Sequence, residues 1–153
     1  MSNGTVFILR GIPGAGKSRL TKRLKKNRKN ARVVSADDFF VDADRVYRFD
    51  PSKLGEAHSY CLFSFLEWLE RRTRTVIVDN TNTTAVEIAP YAALALAHNY
   101  EVQIITIKAN ARVAARRNVH GVPVETVLRM AKRLKEETPR LPPWWPHRFE
   151  GGN

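Results

Sequence analysis

At 153 residues the chain has the length of one domain, enough to bury roughly two thirds of its unfolded surface in a single core. Its 26 Lys and Arg against 15 Asp and Glu leave a formal charge of +11, which points to a polyanionic partner, nucleic acid first, unless the basic tracts are only solvated helix faces. The single cysteine, Cys61, excludes an intrachain disulfide and a cysteine-based metal site; no secretory signal and no apolar run near the ~20 residues that span a bilayer are present, so a cytoplasmic protein without a membrane partner is expected.

Residues 5–9 (Thr-Val-Phe-Ile-Leu) form a continuous apolar run of the kind found in buried parallel strands. Gly11-Ile12-Pro13-Gly14-Ala15-Gly16-Lys17-Ser18 follows and matches the P-loop pattern. Glycines at 11, 14 and 16 leave room for backbone amides to approach a triphosphate, Lys17 reaches the β- and γ-phosphates, and the Ser18 hydroxyl takes one position on Mg²⁺. Residues 17–26 read as an amphipathic helix with Leu20 and Leu24 inward, and its start adds the positive end of the helix dipole. The nucleotide-binding set is therefore Pro13, Gly14, Ala15, Gly16, Lys17, Ser18 and Arg19, with ATP and Mg²⁺ as the implied ligands. Residues 27–30 close the helix with cations that suit its C-terminal dipole, so part of the basic charge is structural.

A short strand at 32–34 opens into Ser35-Ala36-Asp37-Asp38-Phe39-Phe40. Ligands of open α/β sheets sit past the carboxyl ends of strands, where a carboxylate can take a proton from an attacking hydroxyl or orient Mg²⁺. At least one of Asp37 and Asp38 is expected merely to cap a turn. Residues 41–49 lack a period and read as a surface loop beside the site. Asp50-Pro51 starts a helix that runs to about residue 72 with Leu54, Ala57, Cys61, Phe65, Trp68 and Leu69 on its inner stripe, and His58 is read as packed or bonded.

Residues 75–79 form the third strand, in the Walker B position, and end in Asp79, a contact to Mg²⁺ through water; the alternative is that Asp79 and Asn80 only bond neighbouring loop backbone. Thr84 and Glu87 have capping-box spacing, and Pro90 is expected to kink or restart the helix that runs to 97. Residues 102–107 are a fourth strand. This alternation predicts an α/β P-loop NTPase fold of three layers, a small parallel sheet covered on both faces by helices.

Residues 110–118 form a short helical lid, with Arg112 and Arg116 one turn apart and Arg117 beside them, suited to the charge of a phosphoryl transfer or else to solvent. Gly121-Val122-Pro123 ends the lid and a last helix spans 124–137. The P-loop domain is thus expected to cover 1–138, and 139–153 to be a proline-broken tail whose Trp144-Trp145 packs over an apolar surface rather than stacking bases.

The P-loop, Ser35-Ala36-Asp37-Asp38-Phe39, Val78-Asp79-Asn80-Thr81-Asn82 and Ala115-Arg116-Arg117-Asn118 with Gly121-Val122-Pro123 together resemble the polynucleotide-kinase-like P-loop ATP-binding proteins, over roughly residues 5–137. The resemblance implies transfer of the ATP γ-phosphate to a 5′-hydroxyl of RNA or DNA. It implies Asp37 as general base, with Lys17, Arg116 and Arg117 stabilising the phosphoryl group. Phe40 stands where these kinases can carry a phosphate-holding arginine, so Asp38, Arg45 and Arg48 become the candidate acceptor contacts. His120 lies near where a further lid arginine is expected. Two other functions stay open: a small-molecule P-loop kinase, and an ATP-dependent nucleic-acid-binding module with little kinase activity.

Overall fold

The computed structural model describes residues 1–151. Strand β1 (Gly4–Arg10), its apolar run extended by one residue at each end, lies at the centre of a five-stranded sheet. Helix α1 (Lys17–Lys26) leads to β2 (Arg32–Val34), and α2 (Leu54–Glu70) to β3 (Thr75–Asp79). Helix α3 (Ala85–Ala97) leads to β4 (Tyr100–Lys108), then come α4 (Ala111–Arg117), α5 (Val124–Glu137) and β5 (His147–Gly151). The order is β2-β3-β1-β4-β5 and every neighbouring pair is parallel.

The alternation of side chains along the strands separates two cores. Val6, Ile8, Val76, Val78 and Ile104 pack under α2 and α3, whereas Phe7, Leu9, Ile77, Ile105 and Ile107 pack with Leu20 and Leu24 of α1. A third cluster, Ile12, Ala114 and Val127, joins the P-loop to α4 and α5. The three-layer P-loop arrangement expected from the sequence is present.

Several local expectations are corrected. The 139–153 stretch is no mere tail: after a short turn (Thr138–Arg140) it supplies β5, whose His147 to Gly151 pair with Ile104 to Lys108. Trp145 does pack on the main core while Trp144 is exposed; residues 152 and 153 of the expected tail lie outside the described residues. Pro90 sits inside a continuous α3 because it faces outward, where the carbonyl it leaves unpaired can reach water. The capping box of Thr84 and Glu87 forms as expected. His58 and Leu54 are exposed rather than packed. The cap of the Asp-Asp segment is neither aspartate but Ser35, whose hydroxyl accepts from the Asp37 amide at 3.2 Å.

Arg10 is the largest fully buried side chain. Its guanidinium donates to Asn82 O (2.8 Å), Thr83 O (3.0 Å), Thr106 Oγ1 (2.9 Å) and Thr138 Oγ1 (3.1 Å), tying the β3–α3 loop, β4 and the end of α5 to the central strand. Burial lowers its pKa to about 10, against the opposing pull of Glu87 and Glu137, so it remains a cation at neutral pH. Thr106 also bonds His147 Nε2 at 2.6 Å, which extends the network into β5.

Two predictions concern this frame. Arg10→Met leaves the buried Asn82 and Thr83 carbonyls without donors and should lower unfolding free energy by about 2 to 4 kcal/mol in urea titration; an unchanged midpoint and slope would show the network to be dispensable. Gly14, at φ 80°, would carry a Cβ only 2.0 Å from Ala114 O, whereas a Cβ on Gly16, at φ 107°, meets nothing within 4 Å. Gly14→Ala should therefore accelerate amide exchange across residues 111–118 and Gly16→Ala should not, equal protection in both variants being the contrary result.

Candidate active site

Beyond Arg10 the chain turns so that Gly11 N donates to Thr81 O at 3.0 Å, anchoring the P-loop to the end of β3. Helix α1 then starts at Gly16 with no side-chain cap and no acid in its first turn, which leaves its first amides and its dipole open to an anion. Lys17 Nζ lies across the loop and donates to Gly11 O (2.8 Å) and Ile12 O (3.0 Å). Its pKa is lowered by burial, and the carboxylates of Asp79 and Asp37 pull it back up. Pro13 and Ala15 are half-buried; Ser18 and Arg19 are exposed on the first turn.

The loop's glycines divide their labour differently from the sequence expectation. Gly16 faces open space, as an anion cradle requires, and Gly11 would tolerate a Cβ at ordinary contact distances. Gly14 makes room for the backbone of α4.

Asp79, at the carboxyl end of β3, accepts from Thr21 Oγ1 at 3.4 Å. Burial raises its pKa, with Lys17 and Thr21 opposing and Asp37 adding to the rise. Asn80 is turned the other way: its Oδ1 accepts from the Ala36 amide at 2.9 Å and its Nδ2 reaches Cys61 Sγ at 3.5 Å. The short helix Ala36–Phe40 is thereby fastened to the end of β3, where the Asp37 carboxylate is close enough for its charge to pull the Lys17 pKa back up. Asn82, at φ 46°, donates to Leu9 O at 2.8 Å, so the Asp-Asn-Thr-Asn stretch both faces the P-loop and bonds backbone.

Asp37 accepts from Tyr47 Oη at 3.1 Å, and His120 Nε2 stands 3.5 Å from its other oxygen. The Tyr47 and His120 rings lie against each other, 4.4 Å between centroids. Tyr47 reaches this position because residues 41–49 fold back on themselves, with Val41 bridged to Tyr47 and Asp42 Oδ1 accepting from the Asp44 and Val46 amides. Burial first, and the Asp37 carboxylate beside it second, push the pKa of the Tyr47 hydroxyl up to about 12. Asp38 is exposed, and its pKa is raised by desolvation and by Asp37 and Asp79.

Lys17, Asp37 and Asp79 thus lie within reach of one another's charge, with Tyr47 and His120 against Asp37 and Thr21 on Asp79. Reading the sequence missed Tyr47, Thr21 and the tie through Asn80; only the polarity of Asn80 signalled the last. The arginines stand apart. Arg116 and Arg117 are exposed in the last turn of α4 and make no ion pair among the described residues. Asn118 fixes the turn that follows, bonding Ala115 O (2.7 Å) and Val122 O (3.1 Å) while accepting from Val122 N (2.8 Å). Arg48 is bound to Asp42 at 2.7 Å and Arg45 is exposed in a left-handed turn, so neither meets Asp37. Phe40 is buried among Phe39, Tyr47 and Phe49.

These residues fit a nucleoside triphosphate and its metal ion: an uncapped helix start, an ammonium over the loop, the Ser18 hydroxyl on the first turn of α1, and the Asp79 carboxylate bonded to Thr21 of the same helix. Among the described residues no three His, Cys, Asp or Glu side chains gather into a metal cluster, and no helix is long and apolar enough to cross a membrane.

Over 134 residues the chain is 39% identical to NEDD4-binding protein 2 of Homo sapiens, an alignment that takes in 85% of the chain but 8% of that protein, so only a small part of the relative is represented. A chain of the Pnkp1/Rnl/Hen1 RNA repair complex superposes with a TM-score of 0.70 at 15% identity, over 91% of this chain and 46% of that one. A gluconokinase from Sinorhizobium meliloti superposes with a TM-score of 0.59 at 14% identity, over 99% and 84%. The fold is therefore one shared with a chain of an RNA repair complex and with a gluconokinase. The AAA domain family matches residues 6–136, most of the chain, and the protein belongs to that family.

Proposed function

We propose that the chain is an ATP-dependent phosphotransferase acting on the 5′-hydroxyl ends of RNA or DNA. The observation that carries this reading is Asp37, which accepts from Tyr47, belongs to a turn tied to the end of β3 through Asn80, and is close enough for its charge to act on the P-loop lysine. A carboxylate placed there accepts the proton of an attacking hydroxyl as its oxygen bonds the γ-phosphorus and the bond to the nucleoside diphosphate breaks. Lys17 neutralises charge on the transferring group, with Arg117 and Arg116 of α4 as its further cations. Ser18 and Asp79 would hold Mg²⁺, which offsets negative charge on the phosphates. Pro13, Gly14, Ala15, Gly16 and Arg19 complete the donor's loop.

The choice of a nucleic-acid acceptor is supported by the charge of +11 and by the shared fold with a chain of an RNA repair complex. One observation favours a small-molecule acceptor instead. Phe40 points into the core, so the segment after Asp37 offers no inward cation, and Arg48 is committed to Asp42. Arg45 and Asp38 remain exposed at this edge for either acceptor.

Transfer of labelled γ-phosphate separates the two. Incorporation into 5′-hydroxyl oligonucleotides, and not into sugars or nucleosides, is expected; the reverse pattern assigns the small-molecule function. Asp37→Asn and Lys17→Ala should each lower kcat by at least about a hundredfold. An Asp37→Asn enzyme that turns over at the wild-type rate while still binding ATP would exclude Asp37 as the base.

A further inference from the structure

The end of the sheet opposite the P-loop carries much of the positive charge. Here Arg28 and Lys29 stand in the loop from α1 to β2, Arg32 opens β2, and the loop from α2 to β3 holds Arg71, Arg72 and Arg74, all exposed. The two loops meet over Trp68, which is covered by the guanidinium of Arg32 at 4.6 Å and that of Arg71 at 5.3 Å from its ring centroid. Arg28 lies over the Phe7 ring at 4.9 Å and donates to Leu24 O at 3.0 Å. Three arginines are therefore positioned by aromatic faces, which hold a cation without neutralising it.

The acids nearby are few. Glu67 bonds Arg71 at 2.5 Å, and Glu70 and Glu101 are exposed. Neither loop contains an acid of its own. The second loop is also rigid: Thr5 N donates to Arg74 O at 2.8 Å, Tyr100 Oη to Thr73 O at 2.9 Å and Thr73 N to Trp68 O at 3.1 Å. A Cβ on Gly4 would lie 2.1 Å from Arg74 O, so this loop is seated directly on the start of the central strand. A preformed array of guanidiniums is suited to phosphate oxygens, which accept two N–H bonds from one planar fork. A membrane-binding face would instead project its aromatic groups beyond the cations, whereas Trp68 lies half-buried beneath them.

We propose that this edge binds the phosphate backbone of a nucleic-acid strand through Arg28, Lys29, Arg32, Arg71, Arg72 and Arg74. The seven residues of β1 separate it from the P-loop by roughly 20 Å at about 3.3 Å per residue. The surface is thus a second binding region, remote from the phosphoryl-transfer site, which a short acceptor cannot span. It shares with the proposed function the expectation of a nucleic acid, but it requires no turnover, so the two readings fail separately.

The test is fluorescence anisotropy with a labelled, 5′-phosphorylated single-stranded 20-mer, which cannot serve as an acceptor, titrated without ATP at several salt concentrations. The variant K29E/R72E/R74E removes three cations that make no ion pair among the described residues. It should weaken binding at least about tenfold and reduce the slope of log K against log salt by about two. The variant R129E/K132E/R133E makes the same change of charge on α5 and should lose much less. Labelling of a dinucleotide acceptor should be unchanged in K29E/R72E/R74E. Equal losses in both variants would show that binding follows net charge alone, and undiminished binding in the first would remove the surface. Attachment of the protein to anionic vesicles without binding of the oligonucleotide would assign the edge to a lipid surface and overturn the proposal.

Discussion

A buried guanidinium has to find acceptors for its N–H groups, and Arg10 finds them on segments far apart in the chain: the loop after β3, the end of β4 and the end of α5. Without those bonds the desolvation of the cation would be uncompensated. The same requirement therefore sets the geometry of the whole carboxyl edge. The two carbonyls that Arg10 engages belong to Asn82 and Thr83, directly after the stretch that supplies Asp79 and the Asn80 tie, and Thr81 O receives the first amide of the P-loop. An apolar side chain at position 10 could fill the volume but could not specify where that loop lies.

On that edge, charges of opposite sign are concentrated in little space. Burial disfavours the charged form of Lys17 and of Asp79 alike, and each offsets part of the other's penalty. Asp37 adds a second carboxylate to the same field. One ammonium facing two carboxylates leaves no surplus of positive charge for a triphosphate. Under the proposed function the surplus has to come from the open start of α1, from the metal ion and from the exposed arginines of α4. That Arg116 and Arg117 make no ion pair among the described residues is in keeping with such a demand, because a cation already matched to a carboxylate has less to offer a phosphate.

The P-loop was legible because its glycines, lysine and serine lie within eight residues and are framed by an apolar run and an amphipathic helix. Strand β5 was not. His147 to Gly151 form an edge strand whose residues are mostly polar or exposed, and three prolines precede them, so no apolar run marks it. Arg10 gave no signal either, since an arginine ending a strand ordinarily reads as a solvated boundary. Asn80 could be read as a loop residue but not as the clasp between β3 and the Asp37 turn, because its partners, the Ala36 amide and Cys61, are 44 and 19 residues away. Tyr47 was hidden by a loop without a period, whose turn geometry comes from the Asp42 side chain.

The same contrast bears on how a lid would work here. From the sequence, α4 is a mobile element carrying its arginines to the phosphates on closure. In the structure Ala114 is packed with Ile12 and Val127, and the Ala114 carbonyl and Asn118 amide crowd the position a Gly14 side chain would occupy. A swing of α4 as a rigid body would open that core and separate the helix from the P-loop. Under the proposed function the arginines would have to reach a bound donor by rotation of their own long side chains from a fixed helix. The turn 119–122 that follows, held by Asn118, carries His120 against Asp37 and Tyr47. Because His120 touches the Asp37 carboxylate directly, movement of that turn would change the surroundings of the proposed base without displacing either the helix or the P-loop.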